Sequence, residues 1–94
     1  MRTVQISVTA EHINTGEQCS SWACPIALAI DDTLHPLSID VTGDFIHFGL
    51  PGDRYSPVPT PEDVSYWVDE FDDGLPVQPF TFTLELPDEV VVRA

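Results

Sequence analysis

The sequence predicts an α+β fold: an antiparallel four-stranded sheet with two helices on one face, in the order β-α-β-β-α-β. Three observations carry this. Val4, Ile6 and Val8 alternate with polar residues, and so do Phe80, Phe82, Leu84 and Leu86, which is the two-residue period of a half-buried strand. Val64, Trp67, Val68 and Phe71 fall at i, i+3, i+4 and i+7, a single apolar stripe along a helix. Thr42-Gly43-Asp44 makes a tight reversal between two further alternating runs.

The first strand covers residues 3 to 9. Thr9 then suits an N-cap, and Gly16 closes a short turn or two of helix. Pro25 belongs in the first turn of the next helix, where its missing N–H has no partner to lose, with Ser20 or Ser21 as the cap. That helix runs through Ile26, Leu28, Ala29 and Ile30 to about Thr33, apolar over most of its circumference and therefore buried; His35-Pro36 ends it. Leu37, Ile39 and Val41 mark a second strand, and Phe45 to Leu50 a third. Residues 51–61, with four prolines, read as a stiff surface loop. For the following helix, Thr60 is the expected N-cap, Pro61 the first position, Asp63 the capping-box partner and Gly74 the stop. Phe80 to Leu86 is the fourth strand, with Val90-Val91-Val92 as a short edge strand beyond Pro87. This order fits the split βαβ, or ferredoxin-like, arrangement, with the first and third strands in the middle.

Ninety-four residues, 43% of them hydrophobic, make one domain, residues 1–94, with a single modest core. The longest apolar run, Ile26 to Ile30, is far short of a membrane span, and the N-terminus lacks the apolar block of a signal peptide. A cytoplasmic protein is the expectation. Sixteen acidic residues face three arginines and no lysine, for a net charge of −13. Such a chain repels nucleic acid and anionic lipid, so direct nucleic-acid and membrane binding are disfavoured and a basic protein is the natural partner. Solubility or a salty cytoplasm would account for the same acidity.

The charge concentrates in one helix. Residues 60–74 hold six carboxylates and no cation. At roughly 100° per residue, Glu62, Asp69 and Asp73 lie opposite the apolar stripe, Asp63 and Glu70 flank them, and Asp72 lies nearer the core edge. Asp72 and Asp73 oppose the helix dipole, at about 0.3–1 kcal/mol each. The face is either merely solvated or a ladder of phosphate-like charges, its side chains about 5–6 Å apart from turn to turn. Asp40, Asp44 and Asp53 would extend it if the fold brings them round.

Other chemistry is sparse. Cys19-x4-Cys24 with His12, His35 and His47 invites zinc, but the gap is at the long end of the common two to four and there is no second close pair; Cys19, Cys24 and His12 are only weak ligand candidates. No cofactor motif, nucleophile elbow or phosphate loop is present. His12 is the one acid/base candidate, and a local hydrogen-bonding role suits it better. Asp31-Asp32 and Asp72-Asp73 are neighbours on helices and diverge. An enzyme is not expected. Trp22 and Trp67 read as core residues, and Arg54-Tyr55 as an exposed recognition pair. Pro76-x-x-Pro79 matches a proline-groove ligand only weakly, since it leads into a strand.

Several short words occur together: Glu11-His12-Ile13 with Gly16, Cys24-Pro25-x-Ala27-Leu28-Ala29, and Phe71-Asp72-x-Gly74-x-Pro76-Val77-x-Pro79-Phe80-x-Phe82. In combination they resemble a group of small acidic proteins encoded by bacteriophages of high-GC actinobacterial hosts, over most of the chain. The cysteines of that group stand closer together than Cys19 and Cys24, so no shared thiol role follows, and no function of the group carries a site over. The resemblance implies a phage accessory protein in a bacterial cytoplasm, acting on host factors. The functional expectation is thus a protein that binds a basic surface on a host protein, as a DNA mimic inhibiting a nucleic-acid enzyme. Glu62, Asp63, Asp69, Glu70 and Asp73 would supply charge, with Tyr66, Tyr55 and Arg54 as contacts. The alternative is a self-associating scaffold, a homodimer through the Val90 edge.

Overall fold

A computed structural model describes residues 2–90. Five strands and three helices follow one another as β1 (Arg2–Val8), α1 (Ala10–Thr15), α2 (Pro25–Leu34), β2 (Ile39–Val41), β3 (Phe45–Leu50), β4 (Arg54–Pro59), α3 (Glu62–Asp72) and β5 (Phe80–Leu86). The class is α+β and all strand pairing is antiparallel, as expected. The sheet is not single: β1 pairs with β5, and β2, β3 and β4 form a separate three-stranded sheet.

The pairing of β1 with β5 follows from their patterns. In register, Val4 faces Leu84, Ile6 faces Phe82 and Val8 faces Phe80, so one side of the ribbon is apolar from Val4 onward. The other side carries Thr3, Gln5, Ser7, Thr81, Thr83 and Glu85, with Ser7 and Thr81 hydroxyls 3.2 Å apart. The β2–β3 hairpin turns through Gly43-Asp44. Thr42 closes it: its N–H donates to the Phe45 carbonyl, and its hydroxyl accepts from the Phe45 N–H.

The departure from a four-stranded sheet lies in residues 51–61. Pro51-Gly52-Asp53 form a turn, with Gly52 and Asp53 at φ 79° and 57°, and Thr60-Pro61 link to α3. Residues 54–59 then pair with β3, Ile46 facing Val58 and Phe48 facing Ser56. This strand tolerates its prolines because of their phase. The Thr60 N–H donates to the Asp44 carbonyl, so Ser56 and Val58, in step with Thr60, direct their backbone groups to β3. Pro57 and Pro59 are out of step, and the N–H each lacks would have pointed away from β3. An edge strand accepts that; a central one does not. The first and third strands therefore never meet.

One core joins the two sheets and the helices. Ile6, Val8, Phe82, Leu84 and Leu86 pack with Ile46, Phe48 and Val58, with Ile26, Ala29 and Ile30 of α2, and with Val64 and Val68 of α3. Burying each of the Val, Leu, Ile and Phe side chains stabilises the fold by about 1.5–3 kcal/mol. Trp67 is half-buried against this core, but Trp22 is 68% exposed, contrary to its reading as a core residue: it lies in the turn-rich segment before α2, which the core does not reach.

The helix caps also differ from expectation. Thr9 does cap α1, and His12 takes the place of the usual Glu in a capping box. Cys24, not Ser20 or Ser21, caps α2, its Sγ accepting from the Ala27 N–H at 3.5 Å. Ser20 and Ser21 are engaged elsewhere: the Ser20 hydroxyl accepts from the Ala23 N–H, and the Ser21 hydroxyl donates to the Asp40 carboxylate. Pro61 is the cap residue of α3. Thr60 instead donates its hydroxyl to the Thr42 carbonyl, fastening the end of β4 to the β2–β3 hairpin, and the Asp63 carboxylate accepts from the Val64 N–H rather than reaching back. Val90 is buried in a turn, its N–H donating to the Pro87 carbonyl; the rest of the expected edge strand, residues 91–92, lies outside the described residues.

Gly16 is needed for space, not for φ. A Cβ there would stand 2.6 Å from the Pro25 ring and 2.8 Å from the His12 carbonyl oxygen. Gly16→Ala is expected to cost about 1–3 kcal/mol by overpacking, seen as a lower midpoint in urea with an unchanged slope.

Candidate functional site: the acidic face of α3

The apolar stripe of α3 fixes which way its charges point. Val64, Val68 and Phe71 are buried, and Trp67 is anchored between helix and sheet. Its ring stacks on Phe71 and Phe80 with centroids 5.7 and 5.3 Å away, and Phe80 in turn meets Phe82 at 5.6 Å. The indole N–H donates to the Gln78 carbonyl at 2.9 Å. Each ring pair adds about 0.5–1.5 kcal/mol beyond the area it buries.

With that side held, Glu62, Asp63, Asp69, Glu70 and Asp73 are all exposed. Tyr66 stands in their midst, 62% exposed, three or four residues from Glu62, Asp63, Asp69 and Glu70 and so one turn from each. Neither described arginine reaches them: Arg2 donates to the Val90 carbonyl and Arg54 to the Pro51 carbonyl. Among the described residues the carboxylates thus form an uncompensated ridge around one aromatic ring.

Asp72 is set apart from this ridge. Its carboxylate accepts from the Cys19 N–H at 2.8 Å, and Gln18 donates its side-chain amide to the Phe71 carbonyl at 3.1 Å. The segment after α1 therefore docks on the C-terminal end of α3, and Gln18 supplies a donor where the helix leaves carbonyls unpaired. Leu75 N–H to Glu70 carbonyl and Gly74 N–H to Phe71 carbonyl complete a Schellman ending, with Gly74 at φ 77°. No sequence signal pointed to Gln18 or to this use of Asp72, because the contact joins residues fifty-three positions apart.

The remaining expected residues lie elsewhere. Arg54 and Tyr55 are exposed, but on β4 rather than in a loop, and Tyr55 faces outward from the three-stranded sheet opposite Gly49. Asp40 is half-buried and held by Ser21. Asp44 and Asp53 are exposed at the two hairpin tips.

His12 has a structural part. The Thr9 N–H donates to Nδ1 at 3.0 Å, which puts the neutral ring's proton on Nε2, where it reaches Asp32 Oδ2 at 2.6 Å. The ring thereby ties α1 to α2. Both nitrogens are occupied, as a local hydrogen-bonding role requires. Cys19 is exposed and at φ 56°; Cys24 is buried, and burial, with a smaller contribution from the Asp72 charge, pushes its thiol above the ordinary value of 9.0. Among the described residues no three His, Cys, Asp or Glu side chains group as metal ligands.

Beside the start of α3, a groove of about 440 Å³ is lined by Val58, Pro59 and Pro61 on one wall and Thr83, Leu84 and Glu85 on the other.

No family model matches this chain, and no curated protein or solved structure is significantly similar to it.

Three outcomes follow from the site. A thiol reagent is expected to label Cys19 at once and Cys24 only on unfolding. Below pH 9 the buried, neutral Cys24 thiol costs nothing; above it the unfolded chain's thiol ionises first, so the Cys24 contribution makes stability fall as pH rises, and Cys24→Ala should flatten that fall in urea titrations. Changing Asp73 to Asn relieves repulsion by Asp69 and an unfavourable dipole contact. It should raise stability by about 0.3–1 kcal/mol at low salt, with the gain shrinking at high salt.

Proposed function

We propose that this chain is a small acidic binding protein, of the accessory kind that bacteriophages encode, which lays α3 against a basic surface on a host protein. In that reading it stands in for one strand of a nucleic acid. The observation that supports it is the ridge itself: five exposed carboxylates around Tyr66, with no cation of the chain's own described residues brought to them.

The chemistry is electrostatic first. Carboxylates one turn apart stand about 5–6 Å from each other, of the order of phosphate spacing along a strand, whose axial rise is about 3.4 Å. A net charge of −13 steers a basic partner at long range and makes the encounter salt-sensitive. Tyr66 adds what charge alone lacks. A ring surrounded by charged groups is a suitable anchor, since once covered it keeps water from the surrounding ion pairs. No step in this reading is catalytic. The same charge opposes self-association, because two copies would bring like-charged surfaces together. Among the described residues no helix is long and apolar enough to cross a membrane.

The test is capture from an actinobacterial lysate on the immobilised protein. A basic protein should be retained at low salt, released at high salt and displaced by duplex DNA. The triple variant Glu62→Gln, Asp69→Asn, Asp73→Asn should lose most of the capture, and Tyr66→Ala should weaken it while keeping its salt dependence. Equal capture by the triple variant, or failure of DNA to compete, would remove the mimicry reading.

A further inference from the structure

The groove beside β4 lies between two strand edges that no other described residue pairs. β4 pairs only with β3 and β5 only with β1, yet the groove is lined by β4 and Pro61 on one side and by β5 on the other. Its two walls are chemically unequal. On β4, the phase set by Thr60 and Asp44 directs the backbone groups of Tyr55, Pro57 and Pro59 to the open side. Two of those three are prolines, so this wall offers carbonyls and almost no N–H. β5 has no proline between Phe80 and Leu86, so every second residue turns both an N–H and a C=O away from β1. The floor is apolar, since Val58 and Leu84 are buried, while Thr83 and Glu85 are exposed at the rim.

We infer that this groove is a strand-addition site, and that its occupant is an extended, cationic segment of another protein. An entering chain would form a full ladder with β5 on one side and donate its other N–H groups to the β4 carbonyls. Main-chain bonds would hold it, and alternate side chains would choose it. Apolar side chains would meet Val58, Pro59 and Leu84; basic ones would meet Glu85. Charge selects the occupant: Glu85 is the ionisable residue of the lining, on a chain of net charge −13, whereas a second copy would add its own negative charge to the same place. This site adjoins the start of α3 at Pro61 but uses none of the ridge's carboxylates, so it does not depend on the ridge.

The probe is the capped peptide Lys-Val-Thr-Val-Lys-Val, titrated into the isotope-labelled protein and followed by amide NMR. The control is the same peptide with alternate backbone nitrogens methylated, which keeps every charge and side chain but cannot form a ladder. Saturable shifts are expected along Thr81 to Glu85, with amide exchange slowed at the alternate residues whose N–H groups face the groove. The methylated peptide should bind at least about tenfold more weakly, because several backbone hydrogen bonds are lost. Glu85→Lys should weaken binding severalfold and leave the α3 amides unmoved. Shifts confined to α3, or equal binding of both peptides, would overturn the strand-addition site while leaving the acidic ridge intact. So would a peptide-free dimer that protects the same β5 amides, which would make a second copy the occupant.

Discussion

A proline has no N–H to donate, and the architecture turns on where two of them stand. Pro57 and Pro59 occupy the side of β4 that faces away from β3, so the β4–β3 ladder is intact while the opposite edge is nearly donor-free. A strand arriving there can give hydrogen bonds but receive few. β5 instead takes β1, with which its apolar residues match in register. The outcome is two small sheets over one core, with a groove where a continuous sheet would have closed. Unpaired strand edges invite aggregation, and the prolines of β4 blunt one of these.

The acidic helix rests on a different balance. Its charges work against it, since repulsion along the exposed face and acids near the C-terminal end each cost a few tenths of a kcal/mol or more. Its stripe repays this several times over by burying Val64, Val68 and Phe71 and by stacking Trp67 on Phe80. Because packing rather than surface pairing holds the helix, its outer face is free to carry one sign of charge. The Schellman ending, Gln18 and the Cys19–Asp72 contact supply partners at the end where the acids are least welcome.

Short polar contacts fix how the elements meet. His12 joins α1 to α2 through Asp32, Ser21 and its backbone join the loop before α2 to β2, and Thr60 joins β4 to the neighbouring hairpin. Each uses a residue that local reasoning would assign to a cap or a solvated turn. Ser, Thr and Asp can satisfy a helix end or a distant carbonyl equally well, and only the assembled fold decides between them.

The sequence by itself determined the α+β class, the antiparallel pairing, the stretches that alternate or repeat every three to four residues, and the outward direction of the α3 carboxylates. All of these follow from local periodicity, which is set by backbone geometry and the burial of one face. Tertiary structure alone decided that residues 54–59 are a strand, that the sheet divides, that Trp22 stays outside the core, and that Cys24 and Pro61 stand at the helix starts. A proline-rich segment reads as a loop until a neighbouring strand provides the phase in which its missing donors do no harm. That phase is a property of two strands together, and neither one carries it alone.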